Sequence, residues 1–251
     1  MTAELTIAVE RLYEVFAVYP VNPNMDGSPL LEDLPKMNRD LTGKPLRSLT
    51  SDDLFHFLMD VIYTWGDTPD FKHFLPRILE LTIFRERFSL EFGMVSKKLE
   101  LTEWSGWPAQ EREAVLHFYL GLWKDLLQNQ DAEFNQDRFI EYLSGIASVC
   151  PDFTEMLMIW EQEKGAVATR YLAGLVYYEF SAVFDKGMLR GYYKHEAIVP
   201  ALIQWLCTDA VIKRLTDAFF TNQPDDTYAE ILSFAVRVLE YEKSKRATSK
   251  S

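Results

Sequence analysis

The chain has 251 residues, of which 48% are hydrophobic and 14% aromatic, and its 26 basic and 38 acidic side chains give a formal net charge of -12. This composition is typical of a folded globular protein and argues against intrinsic disorder. The negative net charge repels phosphate backbones, so we expect no general binding to nucleic acid.

The N-terminus and the two cysteines favour a cytoplasmic location. Residues 1-10 lack the basic region of a secretory signal. No apolar run approaches the roughly 18 residues that a membrane span requires. Cys150 and Cys207 lie far apart among apolar neighbours, a pattern typical of free buried thiols. We therefore expect a cytoplasmic protein that makes no membrane contact.

Helical periodicity begins near the N-terminus. Apolar residues recur at three- and four-residue steps from Leu5 to Phe16 and predict a helix over 4-18. Residues 20-49 then contain five of the eleven prolines, which repeatedly interrupt regular hydrogen bonding. The leucines of this proline-rich segment indicate an irregular stretch that packs along the body of the protein.

The next two helices are predicted to form a hairpin. Thr50 or Ser51 can cap the first helix, and Gly66 can supply the left-handed residue that ends it. Thr68, followed by a proline, can start the second helix. Pro76 falls inside that second helix, where we expect a bend or a break.

The rest of the chain continues the helical pattern. Residues 82-107 are ambiguous, with a short helix expected near 85-99, and a longer helix starts at Trp107-Pro108. Further helices are predicted over 136-149, 152-163, 166-184, 194-206, 209-221 and 226-242.

Consecutive amphipathic helices with short connections pack as antiparallel neighbours. The sequence therefore predicts one all-α domain over 1-251, either an irregular bundle or a short HEAT-like stack of antiparallel helical pairs. Residues 243-251 are predicted to fray as a basic tail.

Two motifs carry a resemblance to a known family. One is TWGDTPDFKHFLPRILEL at residues 64-81, and the other is the Trp107-Pro108-Ala109 start followed by Glu111-Arg112-Glu113. Together they resemble a family of bacterial proteins to which no function is assigned. Members of that family often carry a closely spaced cysteine pair in the proline-rich stretch, where this chain has Gly27-Ser28-Pro29-Leu30-Leu31. The resemblance implies a bacterial cytoplasmic protein and no particular reaction.

Common enzyme motifs are absent from the sequence. None of the eleven glycines belongs to a dinucleotide fingerprint, a P-loop or the glycine-flanked serine of an α/β-hydrolase. Three histidines follow a carboxylate by about one helical turn, as Asp53-His56, Asp70-His73 and Glu113-His117. Di-iron bundles use such pairs, but they need further inward glutamates, and carboxylates in a first turn also stabilise the helix start. We therefore expect capping or surface pairing, with no metal and no cofactor.

An alternative hypothesis is an enzyme, or a protein that binds a small ligand or metal in a helical pocket. Its candidate residues are His73, His117, Tyr177 and Tyr178. Aromatic residues at helical spacing belong to the core more often than to a binding site.

The charge pattern favours a different function. Residues 125-163 contain nine acidic side chains and one basic side chain, so this stretch carries two-thirds of the net charge. Such a concentration can steer a basic partner toward the protein. The candidate contact residues are Asp131, Glu133, Asp137, Glu141, Asp152, Glu155, Glu161 and Glu163.

The leading hypothesis is therefore a protein-binding module without enzymatic activity, whose acidic helical surface binds a protein with a basic surface. One specific form of it is an immunity or inhibitor protein that covers the substrate groove of a basic, nucleic-acid-cleaving toxin. A solvated helix face is the simpler interpretation of the same charges.

Overall fold

The computed structural model describes residues 1-83, 90-129, 135-150, 152-191, 198-221 and 226-248. Across these ranges the protein is helical and has no β-strand, so the predicted all-α class is confirmed. One isolated antiparallel bridge joins Gly27 and Trp65. None of the helices in these ranges meets the length and apolarity that crossing a bilayer requires.

The chain divides into two compact units, residues 1-122 and 123-251, with the boundary inside a helix. The single domain predicted over 1-251 stays a prediction. The first unit contains α1 (Ala3–Phe16), α2 (Leu34–Thr42), α3 (Ser51–Asp60), α4 (Thr68–Ile83), α5 (Phe92–Leu101) and most of α6 (Ala109–Gln128). The second contains α7 (Gln136–Val149), α8 (Phe153–Gln162), α9 (Ala166–Tyr178), a π-helix (Ser181–Asp185), α10 (Val199–Leu206), α11 (Asp209–Thr221) and α12 (Asp226–Thr248). Residues 243-248 of the basic tail belong to α12.

The proline-rich segment contains a helix, α2, that its prolines did not predict. Asp33 caps this helix by accepting a hydrogen bond from the Lys36 amide. Pro35 lies in the first turn, where a backbone N–H has no helical partner and its loss costs nothing. Asn38 ties the segment to the unit, because it donates to the Met25 carbonyl and accepts from the Trp65 indole.

Helix α3 starts as predicted and ends earlier than predicted. Thr50 and Asp53 form a capping box at its start. The helix ends at Asp60, because Lys98 of α5 donates to the carbonyls of Met59 and Val61 at 2.8 and 2.6 Å. Lys98 is buried and thus replaces the next helical turn as the partner of these carbonyls.

The turn after α3 contains two left-handed residues, Ile62 and Gly66, each with a φ of 73°. Gly66 has the predicted conformation, but it precedes α4 instead of ending α3. A β-branched side chain disfavours positive φ, so Ile62 is a strained position.

Helix α4 runs without interruption through Pro76, so of the bend or break predicted there, the break does not occur. Apolar side chains on both sides of the proline, among them Phe74 and Ile78, are fully buried. Burial of these side chains outweighs the cost of a proline inside a helix, which is about 3 kcal/mol and includes the lost backbone hydrogen bond and the clash of the ring with the preceding turn.

The core of the second unit is a cluster of aromatic rings. Phe139 stacks on Tyr171 with 4.2 Å between ring centroids, and Trp160 packs edge-on against both Trp123 and Phe139. The buried indoles of Trp123 and Trp160 donate to backbone carbonyls, so their polar atoms are satisfied. This cluster fixes the inner faces of α7, α8 and α9.

Candidate functional site

The carboxylates predicted to contact a partner have different environments. Asp131 and Glu133 lie outside the described residues. Among the others, Asp137, Asp152 and Glu155 are exposed, whereas Glu141, Glu161 and Glu163 are half-buried. The exposed carboxylates are the ones that a partner could contact directly.

Two of the exposed carboxylates lie at the start of α8. The side chain of Asp152 caps this helix by accepting a hydrogen bond from the Thr154 amide at 2.8 Å, and Glu155 lies in the first turn. Negative charge is stabilised at this end of a helix. Asp152 therefore has a structural function, and Glu155 is freer to serve a partner.

Asp137 on α7 is engaged by a basic residue of the same unit. The Arg190 guanidinium bonds to Asp137 and also to both carboxylate oxygens of Glu179, which is buried. These two carboxylates raise the pKa of Arg190 above its usual value. Part of the negative charge at Asp137 is thus already neutralised within the chain.

Glu163 contributes to the packing of its own unit. Its carboxylate accepts a hydrogen bond from Gln128 Nε2 at 2.7 Å, and its backbone carbonyl accepts one from Arg214 at 2.6 Å. The acidic stretch predicted as one contact surface therefore includes residues that hold helices together.

The residues of the alternative pocket belong to both units. His73 and His117 lie in the first unit and Tyr177 and Tyr178 in the second. His117 is exposed on α6. His73 is half-buried, and its Nδ1 donates to the carbonyl of Tyr19 at 2.9 Å in the neutral tautomer that this contact favours. The carbonyl that it binds lies shortly after the end of α1.

Beside His73, a buried polar cluster joins α4 and α6 to the residue Tyr19. Lys72 forms an ion pair with Glu111 at 2.7 Å, and the Tyr19 hydroxyl donates to Glu111 at 2.6 Å. The ammonium of Lys72 also lies 4.2 Å from the ring centroid of Trp107. Every charged group here has a partner, which is typical of a structural network.

Tyr177 and Tyr178 are exposed. Their rings meet edge-on at 4.9 Å, and Tyr177 packs against Phe234 of α12 at 5.1 Å. Tyr192 and Tyr193, which continue this aromatic pattern in the sequence, lie outside the described residues.

In two of the histidine and carboxylate pairs, the carboxylate accepts hydrogen bonds at the start of a helix. Asp53 belongs to the capping box of α3, and Asp70 accepts a hydrogen bond from the Asp67 amide at the start of α4. Across the described ranges, no group of three or more histidine, cysteine, aspartate or glutamate side chains is arranged to hold a metal ion.

The second unit contains an open cavity of about 640 Å³ that the sequence did not predict. It is lined by Lys164, Ala166, Thr169, Ala210, Lys213, Arg214, Asp217, Ala218, Thr221 and Tyr228. Three of these residues are basic and one is acidic. The sequence feature that could have indicated this cavity is Lys164, a basic residue directly after Glu163 at the end of the acidic stretch.

The segment that carries the family resemblance, residues 64-81, forms the turn around Gly66 and most of α4. Its buried face includes Phe71 and Leu75, so much of the motif serves packing. The resemblance itself stays a prediction. Comparison of the chain with family models, curated proteins and solved structures gives no match.

Proposed function

We propose that this chain is a protein-binding module that uses carboxylates on α7 and α8 to bind a partner with a basic surface. The observation that carries the proposal is the exposure of Asp137 and Glu155 on two helices whose inner faces are fixed by the aromatic core. Charges held on rigid helices need little ordering when a partner binds, so less affinity is lost to conformational entropy.

The local charge supports the same proposal. The described residues from 135 to 163 include six carboxylates and one basic side chain, Arg138. At the Debye length of about 8 Å in physiological salt, neighbouring charges act together on an approaching partner. An acidic surface of this kind accelerates association with a basic protein more than it strengthens the final complex.

A narrower form of the proposal is an inhibitor or immunity protein. A toxin that cleaves nucleic acid binds phosphates with basic residues, and an acidic binder can occupy the same groove. This form requires that the partner loses access to nucleic acid when the chain is bound.

The test uses a triple variant, D137N/E155Q/E161Q, which removes three negative charges without removing the Asp152 cap. We expect the wild-type chain to retain a basic protein from a lysate of its native cell, and the variant to associate with that protein at least about tenfold more slowly at low salt. The difference should shrink as salt is added.

The matched control is D52N/E113Q/E240Q, which removes three exposed carboxylates that lie elsewhere and form no ion pair with another described residue. It should leave the association rate close to that of the wild type. Equal rates for the two triple variants, or a retained partner with an acidic surface, would contradict the proposal.

A further inference from the structure

The open cavity of the second unit has the chemistry of an anion site, and this inference is independent of the proposed function. We propose that it binds a small organic phosphate, a phosphate monoester with a body of moderate size. The three basic residues and one acidic residue of its lining give a local charge of opposite sign to that of the whole chain.

Arg214 is the fixed cation of the cavity. It donates through Nε to Thr169 Oγ1 at 2.9 Å, and through its two terminal nitrogens to the carbonyls of Trp160 and Glu163 at 3.0 and 2.6 Å. A guanidinium has five N–H donors, so two remain after these three bonds. The carbonyls hold the planar group in one orientation, as bidentate recognition of a phosphate requires.

No carboxylate of the described ranges forms an ion pair with Arg214, although the side chain is half-buried. Burial lowers its pKa from the usual value, which indicates that its charge is only partly compensated. Tyr228 and the Glu163 carboxylate act on Arg214 from beyond ion-pair distance and offset only part of this effect, so an anion that enters the cavity stabilises the half-buried charge further.

Lys164 is the second cation, and it lies at the start of α9. It is exposed and, within the described part of the chain, makes no ion pair or hydrogen bond through its side chain. The next residue, Gly165, caps α9 without a side-chain hydrogen bond, so the amides of the first turn have no side-chain partner at this cap. Ala166 of that turn lines the cavity, which adds the positive end of a helix to the two cations.

Lys213 and Asp217 form their own pair at 2.7 Å along α11, so the single carboxylate of the lining is already neutralised. It opposes an anion less than an unpaired carboxylate would. The attraction for an anion therefore comes from Lys164 and Arg214, and it is opposed by Glu163, which acts on Arg214 without being part of the lining.

The size and the remaining lining favour a ligand larger than inorganic phosphate. A volume of about 640 Å³ lies within the range of about 300 to 1,000 Å³ that small-molecule sites occupy. Three alanines leave space beside the cations, and the Tyr228 ring provides an apolar surface. The phosphate is expected at the cations and the organic body against Ala218 and Tyr228.

The test is calorimetric titration of the full chain with adenosine monophosphate, ribose 5-phosphate, inorganic phosphate and adenosine as separate probes. We expect at least one of the two organic phosphates to bind with a Kd below about 1 mM and more tightly than inorganic phosphate. Adenosine, which has no phosphate, should bind much more weakly than adenosine monophosphate.

The variant is Lys164→Gln, and its matched control is Lys186→Gln, another exposed lysine of the same unit. K164Q lacks one charge-assisted contact and should bind the organic phosphate about tenfold more weakly than the wild type. K186Q should bind it with the affinity of the wild type. Circular dichroism of K164Q should match that of the wild type, because the side chain is exposed.

Three outcomes would overturn the inference. These are no detectable binding of either organic phosphate at about 1 mM, detectable and equal binding of adenosine and adenosine monophosphate, and equal weakening in K164Q and K186Q. Tighter binding of inorganic phosphate than of both organic phosphates would overturn the part that concerns the organic body.

Discussion

The ammonium of Lys72 lies 2.7 Å from the Glu111 carboxylate, and both side chains are buried. The Tyr19 hydroxyl completes the cluster by donating to Glu111 at 2.6 Å and accepting from Lys72 at 3.1 Å. The first unit thus places opposite charges in its interior, where each is stable only with the other present.

We expect Glu111→Gln to lower the free energy of unfolding by about 3 to 5 kcal/mol, because it leaves the Lys72 charge buried without its partner. The double variant K72M/E111L removes both charges and should recover most of this loss. Urea denaturation followed by tryptophan fluorescence measures both changes. A double variant less stable than E111Q would show that the loss of stability comes from the missing ion pair and not from the unpaired charge of Lys72.

Lys98 should make stability depend on alkaline pH. Burial lowers its pKa from the usual 10.5 to about 8. Between about pH 8 and pH 10.5 the unfolded chain binds a proton that the folded chain has released, so the free energy of unfolding rises with pH, by up to about 1.4 kcal/mol per unit. Below pH 8 Lys98 is protonated in both the folded and the unfolded chain, so it no longer contributes to the pH dependence of the free energy of unfolding.

The measurement for Lys98 is a comparison of denaturation curves at pH 7 and pH 9.5 for the wild type and Lys98→Met. Only the difference between the two chains isolates this group, because tyrosines and other lysines also titrate at high pH. We also expect K98M to lose about 1 to 3 kcal/mol at pH 7, since the Met59 and Val61 carbonyls lose their donor. If the free energies of unfolding of the wild type and K98M changed equally between pH 7 and pH 9.5, the pH dependence could not be attributed to Lys98.

We expect Arg190 to stabilise the fold more through its ion pair with Glu179 than through its ion pair with Asp137. The Glu179 carboxylate is 2% exposed and the Asp137 carboxylate 81% exposed. Arg190→Gln leaves a buried carboxylate without its cation and should cost about 1 to 3 kcal/mol, whereas Asp137→Asn should cost less than about 1 kcal/mol. Thermal denaturation of the two variants checks this order, and a larger loss in D137N would reverse the interpretation.

Both cysteines should react slowly with thiol reagents in the folded chain. Burial raises the pKa of Cys150 to about 12 and also raises that of Cys207, so very little thiolate forms near neutral pH. Reaction with a colorimetric disulfide reagent at pH 8 should be slow in the native protein and fast in 6 M guanidinium, as about two thiols per chain. Fast native labelling of Cys150 would show that the thiol is accessible.

Features that depend on neighbouring residues in the chain could be predicted from the sequence. The cap at Thr50 needs only Asp53 three positions later, and the helix over 136-149 needs only its own apolar period. Such interactions involve only residues that are close together in the sequence. The all-α class follows from them.

Features that depend on distant residues could not be predicted. The end of α3 is set by Lys98, which is 37 positions after Val61, and the continuity of α4 through Pro76 is set by packing against other helices. The cavity cations Lys164 and Arg214 are 50 positions apart, and only the fold brings them to one lining. Charge counts along the chain could therefore locate the acidic stretch and could not locate the basic cavity within the same unit.

The left-handed conformation of Ile62 has a consequence for laboratory selection of heat-resistant variants. A branched side chain at a φ of 73° costs about 1 to 2 kcal/mol that asparagine or glycine at the same place would largely avoid. Libraries screened for survival at elevated temperature should accordingly enrich asparagine or glycine at position 62, because either residue removes most of this backbone strain.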